Sequence, residues 1–271
     1  MRLTPELRDR LVASTLIEQL TPILAGVSIN HAYSTSDRQM VQTLKDISIG
    51  FMPSTFTCLV GKSGSGKTTL LRVLSGLVKP SSGQIFLDKQ KLTRPQRRVS
   101  VVFQRDNLMP WRTVYQNIVL PLQLAGVGKQ QQHEQATRLI EITGLNGFEK
   151  TYPAELSGGM VQRVAIARGL ITEPDVLLLD EPFGALDAMT REQMWQELLR
   201  IWANTRATVF MVTHSIREAI FLADRVIVLS PRPGQIVADI VVPFERPRNF
   251  DLLTNMEFNQ LEEKVRSALQ F

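Results

Sequence analysis

The run Gly61-Lys62-Ser63-Gly64-Ser65-Gly66-Lys67-Thr68 constrains this chain more than any other stretch. It matches the spacing G-x-x-x-x-G-K-[ST] in full, and it lies between an apolar segment of strand length, FTCLVG, and a helical pattern, GKTTLLRVLSGL. Such a motif has meaning only in a strand–loop–helix context, and that context is present. Glycines let the backbone curl until successive N–H groups face one anion, and the start of the following helix adds partial positive charge. Lys67 then reaches the outer phosphates of a nucleotide, and the Thr68 hydroxyl is placed to ligate Mg²⁺. Gly61, Ser63, Gly64, Gly66, Lys67, Thr68 and the adjoining Thr69 form the candidate nucleotide-binding set. The competing reading, a glycine-rich turn of no consequence, is weighed down by the flanking strand and helix. The motif specifies nucleotide binding and leaves open what the nucleotide drives.

Along the rest of the chain, apolar runs of strand length alternate with helical patterns, which points to an α/β fold with a mainly parallel sheet. A turn, KPSSG, leads to the short strand QIFLD. From about Leu108 to Pro153 strand patterns are few, and two helices are expected, over Val114–Ala125 and Gln131–Thr143. This reads as a helical insertion in the α/β core. A long helix is expected from Gly158 to about Thr172, stopped by Glu173-Pro174 because the residue before proline disfavours helix. The strand VLLLD, a helix over Met189–Ala203, the strand ATVFMVTH, a helix over Ile216–Ala223 and the strand RVIVLS follow. The tail from Pro243 begins irregularly and is expected to finish in an amphipathic helix over Phe258–Leu269.

Two acids close the strand VLLLD: Asp180 and Glu181. A parallel sheet presents ligands at the carboxyl ends of its strands, so both should face the glycine loop. Asp180 is then placed to hold Mg²⁺ and Glu181 to orient or deprotonate an attacking water. Taken alone, the pair could also be two surface acids where a strand leaves the sheet, a reading that loses its weight beside the glycine loop. His214 ends another core strand and should approach the γ-phosphate. His31 and His133 read as structural. Farther along, Leu156-Ser157-Gly158-Gly159-Met160 opens a helix, with Ser157 as N-cap candidate and two glycines exposing backbone N–H groups. That is a second anion-binding device, or else an ordinary capped helix with a glycine entry.

LSGGM followed by QRVAIARGL resembles the signature motif of ABC ATPases, and the resemblance covers nearly the whole chain from about Gly26. It implies a P-loop NTPase (RecA-like) core with an antiparallel β subdomain and an inserted α-helical subdomain at about 105–160. Residues 1–25 would be an N-terminal helical extension, 26–240 the ATPase domain and 241–271 a C-terminal tail. By the same resemblance Tyr33 stacks on adenine, and Gln104 of VVFQRDNL contacts Mg²⁺ and the attacking water. Ala185-Leu186-Asp187 is similar to the D-loop and His214 to the switch histidine. The implied catalytic set is Glu181, His214, Gln104 and Lys67, with Thr68, Gln104 and Asp180 around the metal. ATP would lie between the phosphate loop of one copy and Ser157, Gly158, Gly159 and Asp187 of a second, stacked head to tail. Met160 departs from the commoner Gln or Glu at its position, with little effect expected because it points into the helix.

With no membrane-spanning stretch expected in this sequence, one motif set and only a compact insertion between Gln104 and Ser157, what remains resembles the detached ATPase of a bacterial importer. Asn107–Val114, Ser230-Pro231-Arg232-Pro233-Gly234 and Arg246-Pro247-Arg248 are similar to the nitrate/sulfonate/taurine/bicarbonate branch. The partners implied are a second copy, transmembrane permease subunits and a separate solute-binding protein, at the cytoplasmic face of the inner membrane, with no nucleic acid. The alternative is a soluble non-transport ABC ATPase that remodels nucleic acid or assembles a cofactor. Leu108, Met109 and Trp111 form an apolar group just past Gln104, and two readings of Trp111 stand side by side: permease contact or core of the helical insertion. The transported solute is not legible, because a peripheral motor never touches its cargo.

Charge and cysteine content agree with this and decide little. The 31 basic and 26 acidic residues leave a net +5, which suits ATP, an acidic membrane surface or nucleic acid alike. Cys58, the single cysteine, sits in an apolar run and should be a small buried hydrophobe. The first twenty residues break their apolar positions with charges. Leu7, Leu11, Leu16 and Leu20 suggest an amphipathic helix rather than a secretory segment.

Overall fold

The computed structural model describes residues 21–34, 39–104 and 107–270. The amphipathic helix expected near the N-terminus lies outside these residues. Six strands make the central sheet. In chain order these are β3 (Phe56–Gly61), β6 (Val99–Val102), β7 (Val176–Asp180), β8 (Thr208–Thr213), β9 (Arg225–Leu229) and β10 (Ile236–Val241), arranged β10-β9-β3-β8-β7-β6. All neighbours pair in parallel except β10, which runs antiparallel along β9. A second, antiparallel sheet has the order β2-β1-β4-β5, from β1 (Leu24–Ser34), β2 (Met40–Phe51), β4 (Ser82–Leu87) and β5 (Gln90–Lys91).

The central strands are apolar on both faces, and their two-residue period sorts the side chains between two cores. Phe56, Cys58 and Val60 of β3, with Leu177 and Leu179 of β7 and Val209 and Met211 of β8, point into one core. Leu59, Leu178, Phe210 and Val212 point into the other. That second core is closed by α1 (Lys67–Leu74), through Leu70, Leu71, Val73 and Leu74, and by the inner face of the antiparallel sheet. The first is closed by the remaining helices: α2 (Val114–Leu124), α3 (Lys129–Ile142), α4 (Gly158–Leu170), α5 (Ala188–Thr205), α6 (Ile216–Leu222) and α7 (Met256–Ala268).

Each helix expected from the sequence within the described residues is present, with its ends no more than three residues from those expected. The helix begun at Gly158 stops at Leu170, where the Glu173 amide folds back to the Leu170 carbonyl and Glu173 itself adopts φ +48°. Cys58 is buried, and burial pushes its thiol well above the usual range. His31 is buried edge-on to Tyr33, whereas His133 is exposed and 6.3 Å from the Tyr115 ring.

Of the apolar group past Gln104, Leu108 and Met109 are half-buried, and Leu108 packs on the first core. Trp111 differs. It is 70% exposed, so it is not part of the interior of the helical insertion.

Candidate functional site

The strand order sets what can meet. β3, β8 and β7 are neighbours, and β6 lies next to β7, so their carboxyl ends deliver Gly61, Thr213, Asp180 and Val102 to one edge of the sheet. Three of the four side chains expected to be catalytic converge there on the carboxylate of the fourth, Glu181. Glu181 Oε2 lies 3.4 Å from Gln104 Nε2 and 3.3 Å from His214 Nδ1, and Glu181 Oε1 lies 3.7 Å from Lys67 Nζ. Glu181 is held in the left-handed region at φ +45°, with its amide bonded to the Val212 carbonyl of β8. That conformation costs a non-glycine residue on the order of 1–2 kcal/mol, and such strain gathers where a side chain must be aimed.

Asp180, the last residue of β7, accepts the Thr68 hydroxyl at 3.0 Å. Burial raises its carboxyl above the ordinary range, the Thr68 hydrogen bond pulls it back, and the neighbouring Glu181 charge adds to the rise. Lys67 is buried, and its ammonium donates to the Gly61 and Lys62 carbonyls at 3.0 and 3.3 Å. Gly64 and Gly66 take φ +76° and +102°, which lets the loop curl. Tyr33 is 41% exposed, and its hydroxyl lies 3.5 Å from Thr69 Oγ1 at the start of α1. Ser63 is exposed on the crest of the same loop.

Ser157, Gly158, Gly159 and Asp187 form a separate cluster. Ser157 caps α4 by accepting the Met160 amide at 3.3 Å, and Asp187 caps α5 by accepting the Thr190 amide at 3.1 Å. Hydrogen bonds from Thr190 hold the Asp187 carboxyl below its usual range. A Cβ on Gly158 would lie 3.1 Å from Leu186, and one on Gly159 would lie 3.2 Å from Thr190. Glycine therefore serves here partly to bring α4 close to the start of α5. Met160, half-buried, packs on the first core and so turns away from this cluster's open side.

Residues 44–184 match the sequence family described as ABC transporter. An ABC transporter ATP-binding protein from Methanocaldococcus jannaschii is 43% identical over 97% of this chain and 94% of its own length. This chain belongs to the ABC transporter ATP-binding family. The nitrate import ATP-binding protein of a Synechocystis species is likewise 43% identical, over 86% of this chain and 90% of that one. The taurine import ATP-binding protein of Rhizobium johnstonii is 41% identical over 90% and 96%. Among solved structures, a dimeric ATP-binding cassette in a post-hydrolysis state with ADP and Pi aligns with TM-score 0.71 at 29% identity. It covers 82% of this chain and 100% of that one.

Several residues of this ABC ATPase that shape the site were not read from its sequence. Gly234 lies against the phosphate loop, where a Cβ would stand 2.3 Å from the Ser65 carbonyl oxygen. Its amide and carbonyl bond Thr43 O and Lys45 N of β2. The stretch Ser230–Gly234 is visible in the sequence, but its bracing of the loop is not. Ser65 itself is buried with its hydroxyl unpartnered. Behind His214, Glu218 is buried against Trp195; a glutamate in the first turn of a short helix carries no signal that separates it from a solvated one.

Proposed function

We propose that this chain is the ATP-hydrolysing, energy-coupling subunit of an importer for a small solute of the nitrate, sulfonate, taurine or bicarbonate kind. The convergence of Lys67, Gln104 and His214 on Glu181 is the observation that carries the hydrolytic part. The import roles for which the nitrate and taurine relatives are named support the importer part and do not favour a nucleic-acid or cofactor-assembly role.

In this reading the amides of the loop from Gly61 to Thr68 and the start of α1 cradle the phosphates. Lys67 exchanges its carbonyl partners for the β- and γ-phosphates, where its charge offsets what develops in phosphoryl transfer. Glu181 accepts the proton of the attacking water, with Gln104 and His214 orienting the water and the γ-phosphate. Thr68 and Asp180, with Gln104, would hold Mg²⁺. Their hydroxyl and carboxylate oxygens, already 3.0 Å apart for Thr68 and Asp180, are the hard ligands this ion takes, with phosphate and water completing its shell. When bound, the ion neutralises phosphate charge.

The second cluster, Ser157–Gly159 with Asp187, reads as the surface that closes on the nucleotide of a second copy. ATP then joins two copies and hydrolysis releases them, a ligand-driven population shift that membrane subunits can follow. No helix among the described residues is long and apolar enough to cross a membrane. The proposed location is peripheral, at the cytoplasmic face of the inner membrane, with permease subunits and a separate solute-binding protein completing the system.

Glu181→Gln tests the site. Nucleotide should still bind, turnover should fall by about 10²–10⁴-fold, and light scattering should show an ATP-dependent dimer. Turnover at the wild-type rate would refute the assignment of Glu181. Purification from membranes tests the importer reading: a permease subunit should accompany the chain, whereas nucleic acid or an assembly partner in its place would favour the alternative.

A further inference from the structure

Glu218 belongs to none of the motifs above, yet it is 4% exposed and sits four residues beyond His214. It occupies the third position of α6, whose N-cap is Ser215. A glutamate there ordinarily reaches back to the N-cap amide. This one does not. The Ser215 amide donates instead to Thr213 Oγ1 at 3.0 Å, and Glu218 Oε1 accepts the indole N–H of Trp195 on α5 at 2.8 Å. Burying a carboxylate away from its cap costs several kcal/mol unless it is paired, so the placement calls for a reason.

The surroundings supply one. Burial raises the Glu218 carboxyl above its usual range, while hydrogen bonds from Thr213 and Trp195 and the positive charge of Arg191 draw it down. Arg191, one turn before Trp195 on α5, donates through Nη2 to the Leu186 carbonyl at 2.8 Å. Leu186, Thr190 and Met194 are in turn the atoms against which Gly158 and Gly159 pack. On its other side, His214 stands between Thr213 and Ser215, the two residues whose mutual hydrogen bond adjoins the Glu218 carboxylate, and it meets Glu181 at 3.3 Å.

We propose that Glu218 is a positioning residue for His214, tying the turn that carries this histidine to α5 through Trp195. A displacement of α4 or of the Leu186–Asp187 segment is thereby passed to the histidine facing Glu181. One half-site can then report closure on a second copy's nucleotide to its own water-activating group. This inference rests on the hydrolytic role proposed above.

The experiment is a double-mutant cycle on the full-length chain. Glu218→Gln keeps the shape and an acceptor for Trp195 but removes the buried charge, and Trp195→Phe removes only the indole donor. Each should lower kcat about tenfold, with KM and the affinity for a fluorescent ATP analogue changed less than about twofold. In a His214→Ala background, read under single-turnover conditions, Glu218→Gln should cost less than about a further twofold, because its effect passes through the histidine.

Wild-type kcat in both single variants would overturn the proposal. So would the full tenfold loss repeated without His214, or a parallel loss of nucleotide affinity. Should Glu218→Gln fail to fold, Trp195→Phe carried through the same cycle decides. A wild-type chain without ATPase activity would instead overturn the hydrolytic role, before any variant is compared.

Discussion

A Cβ on Gly234 would lie 2.3 Å from the Ser65 carbonyl oxygen, and that oxygen belongs to the backbone of the phosphate loop. Relief has to come from moving the loop, because both partners are main chain. The φ of Gly234 is not in the left-handed region, so the requirement is for space alone. Gly234→Ala should destabilise the fold by about 1–3 kcal/mol, the usual cost of overpacking. It should also weaken ATP binding at least about tenfold, as loop amides lose their common focus. Isothermal titration beside thermal unfolding checks this: an unchanged affinity would show that the loop tolerates the shift. Glu181 makes the complementary point. Its acidic type and strand-end position are legible from the sequence, whereas its left-handed backbone follows from pairing its amide with β8.

Helix α6 is only seven residues long, too short to be stable alone. Its N-terminus adjoins His214, so whatever holds the helix also holds the histidine. The C-terminal carbonyls, which every helix leaves without intrahelical partners, are met by the tail. Arg248 Nη1 donates to the carbonyls of Ile220, Phe221 and Ala223 at 2.8–3.1 Å, and the Arg246 guanidinium bonds the Leu222 carbonyl. Burial draws the Arg248 pKa down to about 10, a sign of how fully it is withdrawn from water. Arg246 is less buried, pairs with Asp224 and lies over the Trp202 ring at 4.4 Å.

Arg248→Ala should therefore cost about 3–5 kcal/mol, since it strands several buried carbonyls at once. Arg246→Ala should cost roughly 1–2 kcal/mol. Urea unfolding followed by tryptophan fluorescence gives both numbers, and equal losses would contradict the capping role of Arg248. The sequence marked Arg246-Pro247-Arg248 only as a family resemblance; the reason two arginines flank that proline is the end of α6.

At the scale of the molecule, the two functional clusters are built on different elements. The Glu181 cluster lies at the carboxyl edge of the central sheet, and the Ser157–Asp187 cluster at the junction of α4 and α5. On the proposed reading these are two half-sites, and a single chain bearing both calls for a second copy. The exposed indole of Trp111 is a further outward-looking feature: leaving it in water forgoes on the order of 2–3 kcal/mol of burial free energy. Nearby, Arg112 reaches Gln123 of α2 at 2.9 Å, and Leu124 beside it is also exposed. A permease segment laid across Trp111 would recover that free energy. Trp111→Ala should leave basal ATP hydrolysis within about twofold of wild type while reducing permease-dependent stimulation and transport at least tenfold. Equal losses in basal and stimulated hydrolysis would mean that Trp111 supports the fold and not a partner.

The sequence by itself determined the strand–loop–helix unit around Lys67, the acids at the end of β7, the capped glycine entry of α4 and the alternation that makes an α/β sheet. All are local: a spacing, a turn, or a period of two or near four, written within a dozen residues. Only tertiary structure decided that Gln104, Lys67 and His214 meet at Glu181, that Gly234 abuts Ser65, that Glu218 turns from its cap to Trp195, and that Trp111 faces outward. These depend on which strands are neighbours and on contacts between residues far apart in the chain, such as Gly234 with the Thr43 carbonyl. Side-chain type and spacing report what a residue can do. Which partner it does it with is set by the packing of the whole chain, because the free energy of each contact depends on every element that brings its two groups together.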